Sequence, residues 1–204
     1  MRAPAKLFLA SSNPGKLAEY RGLVTPSVSL LPVDLALLTD FEALPLFEEN
    51  FPTFAENAAG KTLHYSRHAN GLVFADDSGL VVPALGGAPG VHSARYAGPQ
   101  ATNAQRIEKL LGEMRGKAGS ERSAYFVCAI ALAQREHAMA IVTDRVDGEI
   151  LEGPRGSGGF GYDPVFYFPA LGKTFAEIPA EEKNQHSHRG KAFRRLLATL
   201  SSMI

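Results

Sequence analysis

Short apolar runs alternate with polar, glycine-bearing turns along the chain, and their spacing predicts a mixture of strands and helices. Lys6-Leu7-Phe8-Leu9-Ala10 reads as a short strand. The polar turn Ser11-Ser12-Asn13-Pro14-Gly15-Lys16 follows, then Leu17, Tyr20 and Val24 at helical spacing. Asn13 suits a helix N-cap and Pro14 the first helical position. Val28–Val33 predicts a second strand, and Asp34–Pro52, acidic and proline-bearing, an irregular segment. Thr53 and Glu56 form a capping box that opens a helix, whose Ala55, Ala58, Ala59 and Gly60 allow close approach to a sheet. Leu72 to Ala75 predicts a buried strand ending at Asp76-Asp77-Ser78-Gly79, before the apolar Leu80-Val81-Val82.

The second half continues the alternation. The glycines and proline of Leu85–Tyr96 mark a loop. Thr102 and Gln105 make a second capping box, and Ile107, Leu110, Leu111 and Met114 follow helical spacing up to a stop at Gly116. Tyr125–Leu132 predicts a strand buried on both faces. Ala138–Val146 and Glu149–Leu151 predict two more, joined by a hairpin at Asp147-Gly148. A last helix carries Phe193, Leu196, Leu197 and Leu200 on one side, with Ser187 as its N-cap and His188 and Arg189 in its first turn.

Composition narrows the class. The 204 residues are 45% hydrophobic, enough for a sizeable core in one domain. Lys+Arg and Asp+Glu are equal at 21 each, which argues against a polybasic binder of duplex DNA. Cys128 is the single cysteine, so no internal disulfide forms, and it reads as a small core residue. The apolar stretch Leu7–Ala10 is too short for a signal-peptide core, and Ala124–Ala133 too short to span a bilayer. The expectation is a cytoplasmic protein with no membrane and no nucleic-acid partner.

Four places carry candidate chemistry. Carboxylates at the end of a buried strand are costly unless a cation or donors meet them, so Asp76-Asp77 reads either as a divalent-metal centre or as a turn. Successive strand residues face opposite ways, so only one of the two can face a given cleft. The 11–16 turn places helix N–H groups and Lys16 where phosphate binds, although it lacks the glycine and hydroxyl of a Walker loop. Gly153–Pro164 puts Phe160, Tyr162 and Asp163 in a glycine-rich loop that can stack on a nucleobase or simply pin itself to the core. Glu48 and Glu49 precede the Thr53 helix, either as a solvated acidic pair or as a carboxylate completing the metal site.

Together these segments resemble the inosine triphosphate pyrophosphatase family. The motifs are Ser-Ser-Asn-Pro-Gly-Lys (11–16), Phe-Ala-Glu-Asn-Ala (54–58), Ala-Asp-Asp-Ser-Gly-Leu (75–80), Leu-Gly-Gly-Ala-Pro-Gly (85–90), Gly-Gly-Phe-Gly-Tyr-Asp-Pro (158–164) and Ser-His-Arg-Gly (187–190). The resemblance implies a mixed α/β fold. It has a long twisted central sheet flanked by helices and two lobes with a cleft between them, in a single domain over residues 1–204 that forms a homodimer. It implies Mg2+-dependent hydrolysis of noncanonical purine nucleoside triphosphates (ITP, dITP and XTP) to the monophosphate and pyrophosphate. By the same resemblance Asp77 is the catalytic acid and a metal ligand, with Glu48 or Glu49 as the second ligand. Ser11, Ser12, Asn13, Pro14, Gly15, Lys16, Ser78, Phe160, Gly161, Tyr162, Asp163, Lys183, His188 and Arg189 fall at substrate-binding positions. Ser11-Ser12 departs from the Thr-Gly common there. The alternatives are a Maf-like pyrimidine triphosphate pyrophosphatase, a magnesium phosphatase that releases orthophosphate, and a non-catalytic nucleotide-binding protein.

Overall fold

Among the described residues seven strands form one mixed sheet, in the order β2-β1-β3-β4-β5-β6-β7, with helices flanking it. The strands are β1 Ala5–Leu9, β2 Val33–Leu37, β3 Leu72–Val81, β4 Ser123–Gln134, β5 His137–Ile150, β6 Phe166–Phe168 and β7 Lys173–Thr174. The helices are α1 Pro14–Leu23, α2 Phe54–Ser66, α3 Asn103–Glu113, α4 Ala180–His186 and α5 His188–Met203. The structure, a computed structural model, describes residues 4–11, 13–24 and 32–203. β1 pairs in parallel with β2 and β3, and β6 pairs antiparallel with β5 and β7.

Two compact units divide the chain. The first comprises Met1–Asp77, Cys128–Asp144 and Arg189–Ile204, the second Ser78–Val127 and Arg145–His188. In the first, strand alternation sorts side chains onto two faces. Leu7 and Leu9 of β1 and Phe74 of β3 pack with Leu17 and Tyr20 of α1 and with Phe193, Leu196 and Leu197 of α5. Tyr20, Phe74 and Phe193 meet as rings 4.8–5.6 Å apart. Val73 and Ala75, on the opposite face of β3, pack with Tyr65 of α2. Ala58 of α2 meets Ala129 and Ala131 of β4, the close approach that its small residues allow.

The second unit has its own core. Leu80, Leu110, Met114, Val146, Ile150 and Val165 surround the rings of Phe126, Phe166 and Phe175, whose centroids lie 4.6–6.1 Å apart. The Thr102–Gln105 box caps α3 with both of its reciprocal bonds formed.

Four sequence expectations change. β3 does not end at the carboxylates but runs on to Val81, so Asp76-Asp77-Ser78-Gly79 is strand rather than turn. Ala138–Val146 and Glu149–Leu151 are one strand, β5, with no hairpin at Asp147-Gly148. Gly148 serves close approach instead: a Cβ there would stand 2.4 Å from the Tyr167 carbonyl oxygen of β6. The chain reverses at Arg135-Glu136, between β4 and β5, where φ is +46° and +66°. Two residues at positive φ suit a two-residue hairpin, but neither is the usual glycine or asparagine. The strand expected at Val28–Val33 lies mostly outside the described residues. β2 occupies Val33–Leu37 within the segment expected to be irregular, with Leu35 buried and Asp34 exposed. Finally, α4 is a helix that the pattern analysis did not place.

Candidate active site

β3 brings two carboxylates into the first unit's interior on opposite faces. Asp76 is 1% exposed and Asp77 8%. Asp76 shares a face with Phe74 and receives Lys16 Nζ at 3.0 Å and Arg189 Nε at 3.5 Å. Burial alone would raise its pKa, but the attraction of Lys16 and Arg189 outweighs that and holds the carboxyl well below the usual range. Arg189, itself buried, also pairs with Glu19 of α1. Lys16 is therefore the partner of Asp76, rather than standing free for a ligand as the sequence suggested.

Asp77 has the contrary environment. Burial raises its pKa, the charge of Glu49 raises it further, and a hydrogen bond from Asn57 only partly offsets them, so it is pushed up to about 7. Asn57 Nδ2 donates to Asp77 Oδ2 at 3.0 Å. Glu49 pairs with Lys61 Nζ at 2.6 Å, whereas Glu48 is exposed and accepts from Asn50 Nδ2. The structure thus separates the two glutamates: the charge of Glu49 acts on Asp77, and Glu48 accepts from Asn50 within its own turn.

Asn13 caps α1 as expected: its side-chain oxygen accepts from the N–H groups of Gly15, at 2.9 Å, and Lys16, at 3.4 Å. Those donors, expected to be free for phosphate, are in use. Pro14 stands at the start of α1. Ser11 is buried and its hydroxyl accepts from the Asn13 N–H. Ser12 lies outside the described residues.

The second unit holds Ser78, Phe160, Gly161, Tyr162, Asp163, Lys183 and His188. Ser78 is half-buried in β3. Asp163 and Lys183 form a buried ion pair at 2.6 Å. The same Asp163 Oδ2 accepts the Phe160 N–H at 2.8 Å, which fixes the loop at Phe160. Gly159, at φ +69°, has no room for a Cβ, which would stand 2.0 Å from that carboxylate. Tyr162 is buried and donates to the Ser93 carbonyl, so it is the ring that pins the loop. Phe160 is 42% exposed, with Lys183 Nζ 5.0 Å from its centroid. His188 stacks on Phe126 at 4.8 Å. A cavity of about 730 Å3, roughly the size that takes a small organic ligand, opens between α3 and the loop and is lined by Ile107, Leu111, Phe160 and Gly161.

Sequence reading gave no role to Glu19 or Lys61, and Asn57 entered it only as a letter in a motif. The detectable signal was spacing: Asn57 and Lys61 are four apart on α2 and share a face.

Among the described residues no cluster of three or more Asp, Glu, His or Cys side chains is placed to hold a metal. A pair of carboxylates still fits magnesium, which keeps several waters and is bound by one or two carboxylates plus substrate phosphates. Burial and then the charge of Glu49 raise Asp77, and a cation beside it would offset both. Among the described residues no helix is long and apolar enough to cross a membrane.

The fold and these carboxylates define a mixed α/β protein with two buried acids on β3, one paired with Lys16 and Arg189 and the other with Asn57. The profile of the Ham1 family matches residues 7–199, and the chain belongs to that family. It is 49% identical over 191 residues to the dITP/XTP pyrophosphatase of Geobacillus kaustophilus, covering 94% of this chain and 92% of the relative. It is 48% identical over 192 residues to that of Thermus thermophilus, covering 94% and 90%. A solved HAM1 protein from Coxiella burnetii superposes with a TM-score of 0.86 at 42% identity, over 97% of this chain and 99% of that one.

Proposed function

We propose that this protein hydrolyses ITP, dITP and XTP to the monophosphate and pyrophosphate, with Mg2+, and so clears aberrant purines from the nucleotide pool. The observation that carries the reading is Asp77, a carboxylate raised by burial and then by Glu49, in a chain nearly half identical to proteins named dITP/XTP pyrophosphatase. We read the protein as a cytoplasmic homodimer.

Asp77 and Glu49 would hold the magnesium ion. The bound ion would supply charge neutralisation on the leaving pyrophosphate and a more acidic water. Without the ion, burial and then Glu49 hold Asp77 at about 7. A cation beside it favours the ionised form, which is the form able to accept. In that form Asp77 would ligate the ion and orient the water that attacks the α-phosphorus, with proton transfer to it secondary. Lys16 holds phosphate oxygens, exchanging part of its contact with Asp76 for them. In the second unit the exposed Phe160 ring stacks on the base, held in place by Asp163 and Lys183. Donors at the 6-oxo edge, from His188 or backbone, satisfy hypoxanthine and leave the adenine amino group opposed. A mismatch of this kind can reject an analogue by roughly 10⁴-fold.

One assay tests the reading. The protein is incubated with Mg2+ and dITP, XTP, ATP, GTP or UTP, and pyrophosphate and orthophosphate are measured separately. Pyrophosphate from dITP and XTP is expected. Preference for UTP would point to a Maf-like enzyme, orthophosphate to a phosphatase, and binding without turnover to a nucleotide sensor.

A further inference from the structure

One face of α2 grips the loop that carries Glu49. Residues 57, 60, 61, 64 and 65 share that face at helical spacing, and each touches the loop over residues 45–51. His64 Nε2 meets the Pro45 carbonyl at 2.7 Å, and the Tyr65 hydroxyl accepts the Phe47 N–H at 3.2 Å. Lys61 pairs with Glu49. At Gly60 a Cβ would stand 2.6 Å from the Phe47 ring and 3.3 Å from that of Phe51, so the loop lies directly on the helix.

Asn57 makes the contact that reaches further. It is fully buried. Its Oδ1 accepts the Phe51 N–H at 3.0 Å, and its Nδ2 donates to the Phe51 carbonyl at 3.2 Å and to Asp77 Oδ2 at 3.0 Å. The Phe51 N–H fixes the amide's orientation, because a flipped amide would set donor against donor. Both amide hydrogens are then committed, one to the loop and one to the carboxylate.

We propose that Asn57 is a positioning residue: by holding Phe51 and Asp77 with one amide, it sets the Glu49 loop at a fixed distance from the Asp77 carboxylate. This inference rests on the reading of Asp77 and Glu49 as the cation-binding pair. A rigid side chain that orients ligating carboxylates typically changes metal affinity or activity by roughly 10–100-fold when removed.

The test compares wild type with Asn57→Ala and the milder Asn57→Ser. Thr62→Val is the control. Thr62 lies on the same helix, is buried, and bonds the carbonyls of Ala58 and Ala131. Mn2+ affinity is measured by electron paramagnetic resonance with a non-hydrolysable α,β-imido analogue of dITP present, alongside kcat, KM and Tm. The expected result is Mn2+ affinity and kcat both reduced about 10–100-fold in Asn57→Ala, less in Asn57→Ser, with nucleotide KM little changed. Thr62→Val should lower Tm while keeping Mn2+ affinity. Unchanged Mn2+ affinity in both Asn57 variants, or an equal loss in Thr62→Val, overturns the proposal. If wild type releases no pyrophosphate yet binds Mn2+ in an Asn57-dependent way, the catalytic reading fails while the positioning role stands.

Discussion

Asp76 and Asp77 are neighbours in β3, both buried, and the protein drives them in opposite directions. Lys16 and Arg189 hold Asp76 ionised, whereas burial and Glu49 push Asp77 up to about 7. The pleat is the cause. It turns one carboxylate toward α1 and α5, where cations wait, and the other toward α2, where an amide and another acid wait. A pair whose environments separate their pKa values divides the labour of a site: one anchors charge, the other exchanges protons.

The first prediction concerns Asp77. Asp77→Asn should abolish pyrophosphate release while leaving the circular dichroism spectrum unchanged. It should also stabilise the metal-free protein in alkali. The folded pKa of Asp77 is raised, so wild type is at full stability below the unfolded value, near pH 4, and loses stability as pH rises toward 7. Asparagine carries no such charge. The shift from 3.8 to about 7 corresponds to at most ~4 kcal/mol. Urea melts at about pH 8 should show the variant more stable, and at about pH 4 the two alike. Mg2+ should narrow the gap at pH 8 by giving the carboxylate a partner. Retained turnover would move the catalytic role to another residue.

Asp76→Asn should behave differently. It takes from Arg189, which is 4% exposed, one of its facing carboxylates, and from Lys16 its ion-pair partner. Breaking a buried ion pair on one side costs about 3–5 kcal/mol, readable in a urea melt at neutral pH. Because the Asp76 pKa is depressed, its contribution is present above the ordinary carboxylate range and is lost as pH falls below it. The variant and wild type should therefore converge in acid, as in the Asp77 case, but at neutral pH the Asp76 variant should be the less stable of the two, whereas the Asp77 variant should be the more stable.

Phe160→Ala tests the base contact proposed in the second unit. The ring is the exposed member of its loop, and Tyr162 does the packing. Its removal should barely move Tm. Stacking of a base on an aromatic ring contributes about 1–3 kcal/mol, so KM for dITP should rise roughly 5–150-fold, with kcat much less affected. A large fall in Tm with unchanged KM would make Phe160 a packing residue.

The parts legible in sequence were those with local signals. The caps at Asn13, Thr53 and Thr102 fixed three helix starts to the residue, because a capping side chain bonds within three residues of itself. Asp77 stood out because a charge inside an apolar run demands explanation. The misread places have non-local causes. Asp147-Gly148 looks like a hairpin, but the glycine is there because β6 passes close by, which no local pattern records. Arg135-Glu136 turns the chain without glycine or asparagine because the long β4 and β5 pairing imposes the turn. Lys16 appeared free, since its partner Asp76 lies sixty residues away. Which of Glu48 and Glu49 pairs with Lys61 depends on how their loop lies on α2. Adjacency in sequence says nothing about that.

The last prediction separates structure from binding in the glycine-rich loop. One oxygen of Asp163 accepts from both the Phe160 N–H and Lys183 Nζ. Asp163→Asn removes the charge that lets Lys183, 5% exposed, stay buried, and an ammonium that loses its carboxylate there costs about 3–5 kcal/mol. Adding Lys183→Met should recover much of that stability, since an uncharged chain of similar length fills the same space between Phe160 and Phe175. The double variant should nevertheless bind dITP poorly, because the Phe160 ring has lost its cationic neighbour and its N–H is left with an uncharged, weaker acceptor. Stability restored together with KM would mean that the ion pair serves folding alone. Stability restored with KM still raised would place Asp163 and Lys183 in nucleotide binding.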